Sequence, residues 1–88
     1  MATTNPTLTP TPAKLVDANT DFFLSLPWKT GADVLIATTD TPGVAPTVEQ
    51  WHPLRGEDGD RLSRAVLSSA LEVWAKSPEG AVTVVLDT

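Results

Sequence analysis

The stretch SALEVWAKSPEGAVTVVLDT, residues 69–88, decides how the chain is interpreted, because two apolar runs flank the tetrapeptide SPEG. Its Ser, Pro and Gly stand at the first, second and fourth positions, as in a type I turn whose glycine takes a positive φ and forms a bulge. In the second run, alternate residues face the same way: Val82, Val84 and Leu86. The pattern predicts an antiparallel hairpin in which LEVWAK pairs with AVTVVLD.

The segment RLSRAVLSSALEVWAK, residues 61–76, has two interpretations. On a helical wheel most of its apolar residues lie on one half, with Asp60 before it as N-cap and Pro78 after it, which favours a helix. The other interpretation divides the segment into two strands with a turn near Ser68. Because the hairpin requires ALEVWAK to be a strand, we predict an all-β fold, a small β-sandwich or barrel-like domain. An α+β fold with a helix at 61–76 is the alternative.

Upstream, three more regions have the pattern of strands. Residues 14–26 suit one or two short strands around a polar break at 17–21. In ADVLIAT, Val34 and Ile36 alternate with Asp33 and Leu35, which predicts a strand with one buried face. TVEQW, residues 47–51, alternates again. TTDTPGVAP and HPLRGEDGD are predicted to be loops, because they are rich in Pro, Gly and acidic residues.

The first thirteen residues, MATTNPTLTPTPA, differ from the rest in composition. Prolines at positions 6, 10 and 12 fix φ and remove amide donors, so we predict an extended arm at 1–13 ahead of a β-domain at 14–88. Such a composition is also typical of a disordered tail. We favour an arm that lies along a neighbouring subunit, which makes interface candidates of Pro6, Leu8, Pro10 and Pro12.

Size and composition restrict how the chain is stabilised. Eighty-eight residues form one domain at most, and a core of this size is marginal for a lone chain. The sequence contains no Cys and one His, which excludes disulfides and argues against a zinc site. By elimination, we expect the chain to be stabilised by association with other copies or with another protein. Of the two, we predict a homo-oligomer.

Charge and hydrophobicity argue against two classes of partner. The net charge is −5 and the six Lys and Arg residues are scattered, whereas nucleic-acid binding needs a concentrated basic surface. No apolar run approaches the ~18 residues of a membrane span. The first residues also lack the basic start and apolar core of a secretory signal. We therefore expect no nucleic acid and no membrane partner.

No residue pattern indicates catalysis or metal binding. His52 has no evident nucleophile or carboxylate partner, and we interpret it as a loop residue at the rim of the domain. The acids Glu57, Asp58 and Asp60 lack the spacing of a calcium loop and are interpreted as a solvated turn that pairs with nearby arginines. We therefore predict that the chain is not an enzyme and has no cofactor, metal or catalytic site.

The three tryptophans recur every 23 residues, a spacing that we attribute to chance rather than to an internal repeat. Trp is the residue most often found as an interface anchor. Trp74 shares the Glu72 and Lys76 face of its predicted strand, so we assign it as a candidate contact between subunits. Trp28 and Trp51 are expected in the core.

Three segments, ADVLIATTDTP, WHPLRGEDGDRLSRA and VWAKSPEGAVTVVLD, resemble small β-structured virion proteins of tailed bacteriophages. The likeness covers roughly residues 30–88 and lies in the pattern of strands and loops, not in a catalytic motif. It implies a compact β-sandwich or barrel used as a capsid decoration protein, a head-fibre base or a tail accessory protein.

The resemblance, the small core and the absent chemistry together predict a structural virion component. We expect a capsid decoration or cement protein that docks on the particle through its β-domain and arm and stabilises it. Its partners would be major capsid or portal and tail proteins, and its location the virion, assembled in the host cytoplasm. One alternative is a head-fibre or tail accessory protein that binds host-surface glycans through exposed tryptophans. A further alternative is a non-viral cytoplasmic β-domain.

Overall fold

The computed structural model describes residues 2–26, 33–55, 61–63 and 70–88. All helix and strand structure within these ranges is antiparallel β-sheet, which confirms the predicted all-β fold. Segment 61–76 contains strands at both of its described ends, Arg61–Ser63 and Glu72–Lys76. The alternative of a single helix across this segment is therefore wrong.

The described strands form two four-stranded sheets and one two-stranded sheet. The first has the order β1-β10-β4-β7, the second β3-β8-β5-β6, and the two-stranded sheet pairs β2 with β9. In chain order the strands are β1 (Thr3–Thr4), β2 (Thr7–Leu8), β3 (Ala13–Val16), β4 (Phe23–Ser25), β5 (Asp33–Thr39), β6 (His52–Arg55), β7 (Arg61–Ser63), β8 (Glu72–Lys76), β9 (Val82–Thr83) and β10 (Val85–Asp87).

Apolar clusters around a polar break correctly located β3 and β4, and alternating apolar residues located β5. Val34 and Ile36 of β5 are buried while Asp33 is exposed, as expected for a strand with one face on the core. The polar break between β3 and β4 contains Asn19 at a φ of 61°. Asn tolerates this left-handed conformation better than most residues, which suits it to the turn.

The strand predicted at residues 47–51 is wrong, since the next strand is β6, which lies in the predicted loop HPLRGEDGD. Leu54 of β6 pairs with Val34 and is buried, whereas Val48 is 54% exposed. Pro53 has no amide hydrogen to donate, but β6 is an edge strand and needs hydrogen bonds on one side only. His52 is consequently the first residue of a strand and not a loop residue.

The predicted hairpin around SPEG is also wrong, although both of its flanks contain strands. β8 pairs with β3 and β5, while β10 pairs with β1 and β4 and belongs to the other four-stranded sheet. Gly80 has a φ of 126°, so the positive φ expected at this glycine is confirmed. The turn carries the chain from one sheet to the next instead of closing a hairpin.

The partner of the C-terminal strands is the segment predicted to be an arm. Thr3 pairs with Asp87 and Leu8 with Val82, in one constant register. Between them Val84 N donates to Pro6 O at 3.0 Å. Since Pro6 has no N–H, one hydrogen bond is missing there and the ladder is interrupted at that pair. Residues 2–8 and 82–88 therefore form a single antiparallel ladder.

The same two parts of the chain continue side by side in the second four-stranded sheet. Ser77 N donates to Thr9 O at 2.8 Å, and β3 then pairs with β8 through Ala13 and Ala75. A register shift between Lys14 and Val16 marks a bulge in this pair. The expected arm is extended over residues 2–8 and bends at Pro10 and Thr11, and in this structure it pairs with its own chain.

One hydrophobic core lies between the sheets. Most of its members lie in strands of the three sheets, and all are at most 9% exposed: Leu8, Val16, Phe22, Leu24, Leu26, Val34, Ile36, Leu54, Val73, Ala75, Val82, Val84 and Leu86. The shortest dimension of the molecule is 19 Å. That thickness fits two β-layers about 10 Å apart with their outward side chains. The described strands thus form a small all-β domain around this core.

Candidate interaction surface

The outward face of β8 carries a row of polar and aromatic side chains. Val73 and Ala75 of β8 are fully buried in the core. Because side chains alternate along a strand, Glu72, Trp74 and Lys76 project from the opposite face. This is the face that the sequence pattern assigns to Trp74.

Glu72 is 5% exposed even though it points away from the core. Its Oε1 accepts hydrogen bonds from Gly43 N at 3.0 Å and from Trp74 Nε1 at 3.3 Å. Its Oε2 lies 3.5 Å from Lys14 Nζ. A buried carboxylate is costly unless its oxygens are paired, and these three donors replace the water that Glu72 loses.

Lys14 forms ion pairs both with the buried Glu72 and with the exposed Asp17. It lies opposite Trp74 in the β3–β8 pair, and its Nζ is 2.6 Å from Asp17 Oδ1. The hydrogen bond and the charge of Asp17, followed by the charge of Glu72, raise the pKa of Lys14 above its ordinary value of 10.5. The side chains of Lys14 and Asp17 are 38% and 70% exposed, so water screens much of this attraction.

Gly43 reaches Glu72 because of a tight turn in the segment between β5 and β6, which we name the 40–51 loop. Val44 N donates to Thr41 O at 3.2 Å, and Gly43 has a φ of 76°. Pro at the second position and a glycine of positive φ at the third are the preferences of a type II turn. The predicted turn at Pro42–Gly43 is confirmed, and it directs the Gly43 amide towards β8.

The other end of the 40–51 loop is held by Trp51. Its Nε1 donates to Val48 O at 3.2 Å, and Lys76 Nζ lies 4.4 Å from the centroid of its ring. This is the geometry of a cation–π contact. Trp51 is half-buried and is not part of the core cluster, so the prediction of a core tryptophan is wrong at this position. Trp28 lies outside the described residues.

Held at both ends, the 40–51 loop exposes two aliphatic side chains. Val44 is 51% exposed and Val48 is 54% exposed. Phe23, on the outward face of β4, is the only other large apolar side chain among the described residues with comparable exposure, at 40%. Loops that a rigid scaffold positions often carry binding residues, so the 40–51 loop is a candidate interaction surface.

The residues predicted to form an interface are distributed over several environments. Leu8 is 1% exposed and packs in the hydrophobic core within this single chain. Pro10 is exposed, while Pro6, Pro12 and Trp74 are half-buried. Trp74 lies on the outward face of β8, whereas Pro6 lies in the ladder with Val84. Interface roles for Leu8, the three prolines and Trp74 stay predictions.

Of the four polar residues weighed in the sequence analysis, the structure describes His52 alone. His52 is exposed at the start of β6, and Glu57, Asp58 and Asp60 lie outside the described residues. Within residues 2–26, 33–55, 61–63 and 70–88, His and acidic side chains form no group of three or more that could hold a metal ion.

Neither the contacts of Glu72 with Gly43, Trp74 and Lys14 nor the exposure of the two valines was identified from the sequence. A glutamate alternating with Val73 in a strand has the pattern of an ordinary solvated residue. The turn signal at Pro42–Gly43 was evident, but nothing in it specifies which carboxylate the Gly43 amide meets.

Helices long and apolar enough to cross a bilayer do not occur in the described segments. Comparisons with protein-family models, with curated proteins and with solved structures found no match.

Proposed function

We propose that this protein is a non-catalytic structural component that docks on a larger assembly through the 40–51 loop. The resemblance of residues 30–88 to small virion proteins supports a tailed-bacteriophage particle as that assembly. In this role the chain decorates the capsid, or the portal and tail region, and stabilises it.

The observation that carries the proposal is the fixed exposure of Val44 and Val48. Both ends of the 40–51 loop are anchored to β8, through Gly43 on Glu72 and through Trp51 on Lys76. A loop that is already positioned loses little conformational entropy on binding. Burial of each valine side chain would contribute on the order of 1–2 kcal/mol.

The acidic composition is compatible with this role. A net charge of −5 opposes non-specific adhesion to DNA, which a protein assembled near packaged nucleic acid must avoid.

Glycan recognition is the weaker proposal, because both described tryptophans are engaged within the chain. Trp74 Nε1 donates to Glu72, and Trp51 Nε1 donates to Val48 O. The Trp51 ring is additionally contacted by Lys76. A sugar would have to compete with these contacts in order to stack on either ring.

The docking role is tested by removing the coding sequence from the genome that encodes it and purifying the particles. We expect particles that lack the chain to lose infectivity faster on heating and at low salt. The double variant Val44→Asp, Val48→Asp should be absent from particles while remaining folded. Thr47→Asp, which adds charge to the same loop without removing an apolar side chain, is the matched control and should be incorporated.

Particles of unchanged composition and unchanged resistance would refute the structural role. Incorporation of the double-valine variant at the level of the Thr47→Asp control would refute the assignment of the docking surface. Specific binding of the purified chain on a glycan array would favour the alternative.

A further inference from the structure

The segment of residues 2–8 is attached to the rest of the molecule by backbone pairing, by cross-strand contacts of its threonines and by one buried leucine. It forms hydrogen bonds with residues 82–88, for example Ala2 N to Thr88 O at 2.7 Å and Val84 N to Pro6 O at 3.0 Å. Cross-strand polar contacts join Thr3 to Asp87 and Thr7 to Thr83. Leu8 is its one fully buried side chain. We name this the N-terminal segment.

A short connection separates the N-terminal segment from β3. We name residues 9–12 the hinge. Among the described residues, one backbone hydrogen bond holds the hinge to the rest of the chain: Ser77 N donates to Thr9 O at 2.8 Å. The chain bends at Pro10 and Thr11. Proline favours the extended polyproline conformation, so two prolines in four residues oppose this bend and favour a straight hinge.

Residues 2–8 fill a groove along the edge of β9 and β10, which accepts an extended segment of this sequence. Every copy of the chain carries both the groove and the segment. Exchange would preserve each hydrogen bond of the ladder and the burial of Leu8. It would change the hinge from bent to extended, together with the hydrogen bond from Ser77 N to Thr9 O. A straight hinge of four residues reaches about 12 Å, at about 3.1 Å per residue.

We propose that two copies of this chain exchange their N-terminal segments reciprocally. In the exchanged dimer, residues 2–8 of one copy pair with residues 82–88 of the other, and the two-fold arrangement closes without leaving a free groove. The partner of this segment is a second copy of the chain. Exchange takes place in the isolated protein and does not depend on docking to a particle.

Paired cysteines give a direct test, because the protein has none of its own. The Thr7 and Thr83 hydroxyl oxygens are 3.2 Å apart, so Thr7→Cys with Thr83→Cys places two sulfurs within bonding reach. The variant is concentrated, partly unfolded, refolded and oxidised. If segments exchange, a disulfide-linked dimer appears on a non-reducing gel. If they do not, the disulfide forms within one chain and the product is a monomer of 9.3 kDa.

The matched control is Ser25→Cys with Val85→Cys, a register pair between β4 and β10 that does not involve the N-terminal segment. It should oxidise within one chain under all conditions. Mixing Thr7→Cys chains with Thr83→Cys chains should give a mixed disulfide, while mixing the two single control variants should not. If the first pair impairs folding by circular dichroism, Thr3→Cys with Asp87→Cys replaces it.

Hinge variants supply an independent readout by light scattering on the eluted protein. Pro10→Gly and Pro12→Gly release the preference for an extended hinge, and each should lower the dimer-to-monomer ratio about threefold. A ratio that rises or stays constant in both variants contradicts the hinge mechanism. A protein that remains monomeric at every concentration, with all Thr7–Thr83 disulfides within one chain, overturns the exchange. Neither result bears on incorporation of Val44 and Val48 variants into particles.

Discussion

Two parts of the chain have nearly the same composition and opposite structural roles. Residues 3–12 read TTNPTLTPTP, and residues 38–48 read TTDTPGVAPTV. The first stretch contributes two strands and a buried leucine, whereas the second forms most of an exposed loop. Both are rich in Thr and Pro, so composition does not determine the difference.

The difference lies in what each stretch meets. Residues 2–8 run beside the otherwise open edge of β9 and β10, and the backbone there finds hydrogen-bond partners. The 40–51 loop lies across the outward face of a sheet, where it is anchored by single contacts to Glu72 and Lys76. A Thr/Pro-rich stretch therefore forms a strand where the edge of another strand supplies backbone hydrogen-bond partners. It forms a loop where only side chains are available to anchor it.

The largest expected effect is on the stability contributed by the first stretch. Leu8→Ala removes a side chain that is 1% exposed and should lower the free energy of unfolding by about 2–4 kcal/mol in a urea titration. Val48→Ala, in the second stretch, should change it by less than about 0.5 kcal/mol. Equal losses at the two positions would remove the distinction between a strand and a loop.

The next effect concerns the anchoring carboxylate of the 40–51 loop. Glu72→Ala leaves the Gly43 amide and the Trp74 indole N–H without their acceptor and should cost about 1–3 kcal/mol. Glu72→Gln retains an oxygen acceptor and should cost less. Amide exchange at Gly43 should accelerate in the alanine variant, and unchanged protection there would show that Glu72 does not hold the loop.

A smaller effect is expected from the turn that presents the Gly43 amide. Gly43 has a φ of 76°, and a Cβ built on it meets no atom within 4 Å, so substitution introduces backbone strain and no clash. Gly43→Ala should cost about 1–2 kcal/mol, and Gly43→Asn less, because Asn adopts this conformation more readily. Alanine and asparagine variants of identical stability would contradict the assigned turn.

The smallest effect is the pH dependence of Lys14. Asp17 and Glu72 raise its pKa above 10.5, so its contribution is fully present below that value and is lost as the pH rises through the raised pKa. The stability difference between the protein and its Lys14→Met variant should therefore be constant near neutral pH and decrease above pH 10.5. A difference that grows in alkaline solution would have the wrong sign.

Local pattern was sufficient for those parts of the fold where burial and alternation coincide. Val34 and Ile36 face the core in β5, and the positive φ of Gly80 follows from its turn. The pairing of strands was not predictable in the same way. The register of Thr3 with Asp87 joins positions at opposite ends of the sequence, and no local signal near SPEG favours that pairing over a hairpin.

The candidate surface was less predictable than the fold. TVEQW alternates as a strand would, but its apolar Val48 has no sheet to cover and remains exposed. Glu72 has an ordinary strand pattern, and its burial depends on a loop that returns from residue 43. Such contacts are set by tertiary geometry, which a linear pattern does not contain.

Residue-resolved amide hydrogen exchange on the intact protein tests the contrast between the two stretches most directly. The amides of Ser77 and Val84 donate to Thr9 and Pro6, so their protection reports pairing with the N-terminal segment and hinge. We predict that both exchange slowly, near the rate of global unfolding, and that the amides of residue 45 and residues 47–50 exchange rapidly. Rapid exchange at Ser77 and Val84 in a folded protein would contradict the account.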